Sequence, residues 1–170
     1  MTTPPTTPPY RIALVCLGNI CRSPMAAVVL AERVAEAGLS DRVEVVSAGT
    51  GPWHVGEPMD QRAAARLTAA GYDATRHRAR QIDAGWFETC DLVLVMDDQN
   101  HADVTALAAA VTSPRAEVAM FRDADPGGPG EVPDPFFGGS DGFDHVLAMV
   151  ERTAAALVEQ LPERLRATAR

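Results

Sequence analysis

Ile12-Ala13-Leu14-Val15 is followed directly by Cys16-Leu17-Gly18-Asn19-Ile20-Cys21-Arg22-Ser23-Pro24. The first four residues read as a buried strand, and Pro24 is a residue favoured at the first position of a helix. Between them, Cys16 and Arg22 are separated by five residues in a tight strand-to-helix turn. Backbone N–H groups of such a turn point inward, and the helix N-terminus adds about half a positive charge. The combination favours a thiolate at Cys16 and a tetrahedral dianion above it. Arg22 can grip two oxygens of that dianion with its planar fork, which a lysine cannot do. Nucleophile, cradle and clamp therefore follow one another in order along the chain.

Outward from this turn, strand and helix patterns alternate. Residues 11–16 form the first strand, and residues 24–37 a helix stopped by Gly38. Residues 43–47 read as a second strand and residues 59–70 as a helix ending at Gly71. A third strand covers residues 91–96, and Asp97 can cap a helix running to about residue 111. Residues 116–121 give a fourth strand, and a Gly/Pro-rich loop spans residues 123–140. The last helix starts near Gly142 and carries Phe143, Val146, Leu147, Val150, Leu157, Val158 and Leu161 on one face. The expected fold is α/β, a single domain with a four-stranded parallel sheet covered by helices on both faces. Ligands of such sheets bind at the carboxyl ends of the strands, where Cys16 and the Asp134 loop both fall.

Composition narrows the class. The chain has 170 residues, 46% of them apolar and 22% charged, as expected of one globular domain. Residues 1–9 are a Thr/Pro tail expected to be disordered or extended, leaving residues 10–170 as the domain. The tail lacks the basic and apolar segments of a signal peptide, and no apolar run is long enough to span a membrane. Three cysteines do not make a disulfide scaffold, so a reducing compartment, the cytoplasm, is expected. The net charge of −8 argues against nucleic-acid binding, so attraction of an anionic substrate must be local. All fifteen basic residues are arginine, which with the alanine and proline load points to a GC-rich bacterial coding sequence.

The run from Cys16 to Pro24 resembles the phosphate-binding loop of the low-molecular-weight protein tyrosine phosphatases, Cys-x5-Arg-Ser/Thr-Pro near the N-terminus. Ser47-Ala48-Gly49-Thr50, the segment from Met96-Asp97 to Asn100, and Asp134-Pro135-Phe136-Phe137-Gly138 match as well. The resemblance covers roughly residues 11 to 161 and implies hydrolysis of protein phosphotyrosine through a cysteinyl-phosphate, without metal or cofactor. Cys16, Arg22 and Asp134 are then the catalytic residues, and Leu17, Gly18, Asn19, Ile20, Cys21 and Ser23 complete the loop.

Each role has a physical reason and a plainer competitor. A phenolate of pKa ~10 is a poor leaving group at neutral pH and needs a proton from a general acid. Asp134 is the candidate, although Asp-Pro in a Gly/Pro-rich loop is also the pattern of an Asx turn. Ser23 can donate to the Cys16 sulfur or cap the following helix. Asn19 holds the loop's shape, and Ser47 and Thr50 brace it from the neighbouring strand end. The ring of the substrate needs apolar walls, for which Leu17, Trp53, Phe136 and Phe137 are the candidates; His54 belongs to the rim. Many members carry Tyr-Tyr after Asp-Pro, so Phe136 and Phe137 keep the stacking surface without a hydroxyl to phosphorylate. The resemblance also implies that His77 and Asp97 pair at the edge of the site. Cys21 has no metal-ligand spacing; it is a loop-packing residue or a thiol able to trap an oxidised Cys16 as a disulfide. Cys90 reads as core.

Two other activities use the same loop. An arsenate reductase needs relay cysteines after the third strand, and no cysteine follows Cys90. A phosphoarginine phosphatase usually has threonine where this chain has Ile20, which favours phosphotyrosine. A silent phosphate-binding module would have lost nucleophile, clamp or acid, and all three are present. The physiological substrate and the oligomeric state are not encoded in any motif of the chain.

Overall fold

The computed structural model describes residues 7–168. Its elements are β1 (Tyr10–Cys16), α1 (Arg22–Glu36), β2 (Val43–Gly49), α2 (Gln61–Ala69), α3 (Trp86–Thr89), β3 (Leu92–Val95), α4 (Asp98–Ala108), β4 (Glu117–Met120), a short 3-10 helix (Phe121–Ala124) and α5 (Ser140–Thr168). The sheet has the order β2-β1-β3-β4, and all three pairings are parallel. Residues 1–6 of the Thr/Pro tail lie outside the described residues, and Thr7 to Pro9 are exposed.

The pleat sorts the central strands onto two cores. Ile12, Leu14 and Cys16 of β1, with Leu92 and Leu94 of β3, join a large cluster with α1, α2 and α5. Ala13, Val15, Val93 and Val95 point to the other face, where Phe87 and Val104 cover them. Residues on both faces of β1 and β3 are therefore apolar, which is why both strands read as uninterrupted apolar runs. From β1 the chain moves to one side for β2 and later to the other for β3. The end of β1 is thus the switch point of the sheet, and Cys16 stands there.

Element identities agree with the sequence expectation, and the differences have local causes. Helix α1 begins at Arg22, two residues before Pro24, with Met25 N already donating to Cys21 O at 3.1 Å. Pro24 is tolerated there because its missing N–H falls among the first four, which have no helical partner. Helix α3 was not anticipated, since four residues are too few to show a period. Helix α5 starts at Ser140 and continues through Pro162, its apolar face extended to Leu165.

Candidate active site

The segment from Cys16 to Ser23 wraps around the sulfur of its own first residue. Ser23 Oγ is 3.0 Å from Cys16 Sγ, and Asn19 N donates to the sulfur at 3.3 Å. Ser23 Oγ also accepts from Asn19 Nδ2 at 2.8 Å, and its hydrogen has two acceptors in reach, the sulfur at 3.0 Å and Ala48 O at 3.3 Å. A thiolate can only accept, and in that state Ser23 is necessarily the donor. Ser23 is therefore not the cap of α1, whose start has no side-chain cap. It lies second in the helix and points back into the loop.

Asn19 is fully buried and has φ of 58°, the left-handed conformation that asparagine tolerates better than other non-glycine residues. Its side chain is fully engaged: Nδ2 also reaches Ser47 Oγ at 3.0 Å, and Oδ1 accepts from Arg80 N at 2.9 Å. Ser47 thus braces the loop as expected, but Thr50 does not do so through its hydroxyl. Thr50 Oγ1 is buried without a partner, while its backbone N donates to Cys16 O at 2.9 Å. Gly49 allows this close approach, because a Cβ there would lie 2.7 Å from Leu17 O.

Arg22 is 3% exposed and reaches back under the loop. Its Nη1 donates to Asp97 Oδ2 at 2.7 Å and to Val132 O at 3.0 Å. Burial works against its charge, but Cys16, Asp97 and Asp134 outweigh that, and its pKa is held above the ordinary value. With Nη1 committed, Nε and Nη2 are the edge left for a bidentate oxyanion. Nη2 stands 3.7 Å from Asp134 Oδ2.

Asp134 makes the anticipated Asx turn and lines the cleft. Oδ1 accepts from Phe136 N at 3.0 Å, an Asx turn, and the other oxygen faces the cleft. The loop behind it is tied down at several points. Val132 N donates to Met96 O at 2.7 Å, and Arg122 Nη1 donates to Glu131 O at 2.8 Å. Buried Asp125 accepts from both Arg122 and Arg152, whose guanidinium groups hold its carboxyl well below the usual range.

Cys16, Arg22 and Asp134 line one cleft of about 140 Å³ together with Leu17, Trp53, Phe136 and Phe137. Gly18, Ile20, Cys21 and His54 complete its wall, with His54 tied to Glu57 at 2.7 Å on the rim. The expected pairing of His77 with Asp97 does not form. His77 Nε2 bonds to Asn19 O at 2.6 Å, whereas Asp97 is committed to Arg22 and to the cap of α4. The two residues brace different parts of the loop. Cys21 is a free, buried thiol, pushed up to about 12 by burial and by neighbouring negative charge from Asp60. Among the described residues, no three His, Cys, Asp or Glu side chains gather as a metal site.

Three contributors were not foreseen. Val132 O and Arg80 N act through the backbone and leave no residue-type signal. Arg62, held by Asp60, stacks over Phe136 and Phe143 at 5.4 and 4.8 Å from their ring centres and ties the acid loop to α2 and α5.

The sequence model of the low molecular weight phosphotyrosine protein phosphatases matches residues 11–167. A low molecular weight protein-tyrosine-phosphatase of Streptomyces coelicolor is 44% identical over 159 residues, spanning 92% of this chain and 96% of that protein. The crystal structure of a low molecular weight phosphotyrosine phosphatase from Vibrio cholerae superimposes with a TM-score of 0.82 at 30% identity, covering 91% and 98% of the two chains. That of a Drosophila arginine phosphatase does so with a TM-score of 0.83 at 29% identity, covering 88% and 96%.

Proposed function

The chain belongs to the low molecular weight phosphotyrosine protein phosphatase family, and on that premise we propose that Cys16 is its nucleophile, Arg22 its phosphate clamp and Asp134 its general acid. The enzyme hydrolyses phosphotyrosine in two displacements at phosphorus. The Cys16 thiolate attacks, the bond from phosphorus to the tyrosyl oxygen breaks, and Asp134 delivers its proton to that oxygen. Water then attacks the cysteinyl-phosphate while Asp134 takes a proton from it, the P–S bond breaks, and inorganic phosphate leaves. Backbone N–H groups of the loop and the N-terminus of α1 hold the equatorial oxygens throughout.

The observation that carries this reading is the convergence on one sulfur: Ser23 Oγ at 3.0 Å, Asn19 N at 3.3 Å, and Arg22 and Asp134 lining the same small cleft. Asp134 Oδ2 stands 3.7 Å from Arg22 Nη2, so the acid and the clamp meet at one edge of the same cleft. Leu17, Trp53, Phe136 and Phe137 provide the apolar walls a phenyl ring needs.

Its substrates are proteins bearing phosphotyrosine, and the three unbridged thiols support work in the cytoplasm. Ile20, an apolar side chain in the cleft wall, favours the tyrosyl ring over a phosphoguanidino group. Turnover on matched phosphotyrosine, phosphoserine and phosphoarginine peptides tests the assignment. Phosphotyrosine should exceed the other two by at least about a hundredfold in kcat/KM; preference for phosphoarginine would overturn it.

A further inference from the structure

Leu17 and Trp53 each face two cavities. On one side is the cleft above Cys16; on the other is a separate hollow of about 270 Å³ walled by Thr50, Gln81, Asp103 and Leu107. The partition is firm on the Trp53 side. The indole is seated flat on Gly51, where a Cβ would lie 1.8 Å from Cζ3, so no side chain at position 51 is compatible with this ring position. Trp53 is 66% exposed, leaving ring surface open to a ligand.

The polar groups of the hollow are mostly acceptors. Among the described residues, Asp103 is the only charged side chain lining it, and its one side-chain hydrogen bond is from the neutral Gln99 amide at 3.0 Å. Thr50 Oγ1 is buried with no partner. Gln81 gives its Nε2 to Thr50 O at 3.1 Å, which leaves its amide oxygen for another donor. An aromatic face, a carboxylate without a cationic partner among the described residues, and the Gln81 amide oxygen make a site for a cation rich in N–H donors.

We propose that this hollow is a second substrate subsite that takes a cationic side chain, arginine above lysine, from a residue flanking the phosphotyrosine. The proposal rests on the reading of the Cys16 cleft as the phosphotyrosine pocket. The two cavities are separated by a single ring and a single leucine, so a peptide with its phosphotyrosine in one can place a near neighbour in the other. A guanidinium can lie on the indole and present its edge to Asp103 and the Gln81 amide oxygen, whereas an ammonium must choose between them. Specificity then arises on the wall of the phosphotyrosine pocket without any residue of the chemistry being involved.

The test uses the full chain and phosphotyrosine peptides with Ala, Arg or Glu at each of the two positions on either side, with free phosphotyrosine as reference. At one position or more, Arg should raise kcat/KM roughly five- to tenfold over Ala, and the gain should shrink with added salt. Asp103→Asn should erase the gain, and Asp103→Arg should turn it into a preference for Glu. Free phosphotyrosine should be hydrolysed equally by all three proteins. If Arg never exceeds Ala by more than about twofold, or its advantage survives Asp103→Asn, the subsite does not exist. If the wild type turns over neither free phosphotyrosine nor any peptide, the reading of the Cys16 cleft fails instead.

Discussion

Asp97 holds two helices with its two oxygens: Oδ2 accepts from Arg22 Nη1 at 2.7 Å, and Oδ1 caps α4 by accepting from Asn100 N at 2.7 Å. Arg22 is thus aimed by a residue just past the carboxyl end of β3 rather than by its own loop.

The two roles separate by mutation. Asp97→Asn keeps an oxygen for the cap but presents no negative charge to Arg22. It should melt near the wild type while losing roughly tenfold or more in kcat/KM for p-nitrophenyl phosphate, chiefly through KM. Asp97→Ala should lose the same activity and about 1 kcal/mol of stability besides, seen in urea unfolding. Equal stability of the two variants would remove the cap from the account.

His77 donates from Nε2 to Asn19 O, and burial together with Arg80 and Arg78 lowers its pKa below the ordinary imidazole value. Between that lowered pKa and about 6.5, the unfolded chain binds more protons than the native one, so stability falls as pH drops through this window. His77→Gln, which can still donate to the carbonyl, should flatten the stability difference between pH 7 and pH 5 relative to the wild type. Parallel pH curves for the two proteins would show that His77 does not titrate on unfolding.

Cys21, whose pKa burial pushes up to about 12, is held as the neutral thiol at pH 7. Iodoacetamide at neutral pH should therefore label Cys16 and spare Cys21, and phosphate should protect against it. Peroxide should inactivate reversibly if Cys21 captures an oxidised Cys16, and Cys21→Ser should make the loss harder to reverse. Peptide mapping after each treatment reads both outcomes; rapid labelling of Cys21 in the Cys16→Ser variant would contradict its burial.

Asp134 as general acid is tested by the leaving group. Removing a positioned acid costs about 10²–10⁴-fold, and the loss grows with the pKa of the departing phenol. Asp134→Asn should approach that loss on phosphotyrosine and lose distinctly less on p-nitrophenyl phosphate. Its kcat/KM profile should also lack the high-pH limb. Equal losses on both substrates with the limb retained would leave Asp134 as a turn residue alone.

The core of the site was legible because it is contiguous. Cys16, Asn19, Arg22 and Ser23 lie in one turn, and the apolar run before them fixes the strand that ends there. Asp134 was legible only by its neighbours, since its Asx turn is the same pattern that marks an ordinary loop. What could not be read is what crosses from one element to another. His77 and Asp97 both touch the loop, yet their expected pairing failed because each has a nearer partner set by the packing of its own segment. The Val132 carbonyl and Arg80 amide are backbone groups that any residue would supply. Arg62 reads as an exposed helix residue until the fold sets it over Phe136 and Phe143.

In this mechanism phosphorus passes through the sulfur of Cys16. The most direct measurement is mass spectrometry of enzyme quenched within the first turnovers of p-nitrophenyl phosphate, with peptide mapping of the modification. One phosphoryl group per chain should appear on Cys16, and it should vanish in Cys16→Ser, which should still bind vanadate through the intact cradle and Arg22. A phosphoryl group on any other residue, or turnover by Cys16→Ser above a tenth of wild type, would rule out Cys16 as the nucleophile.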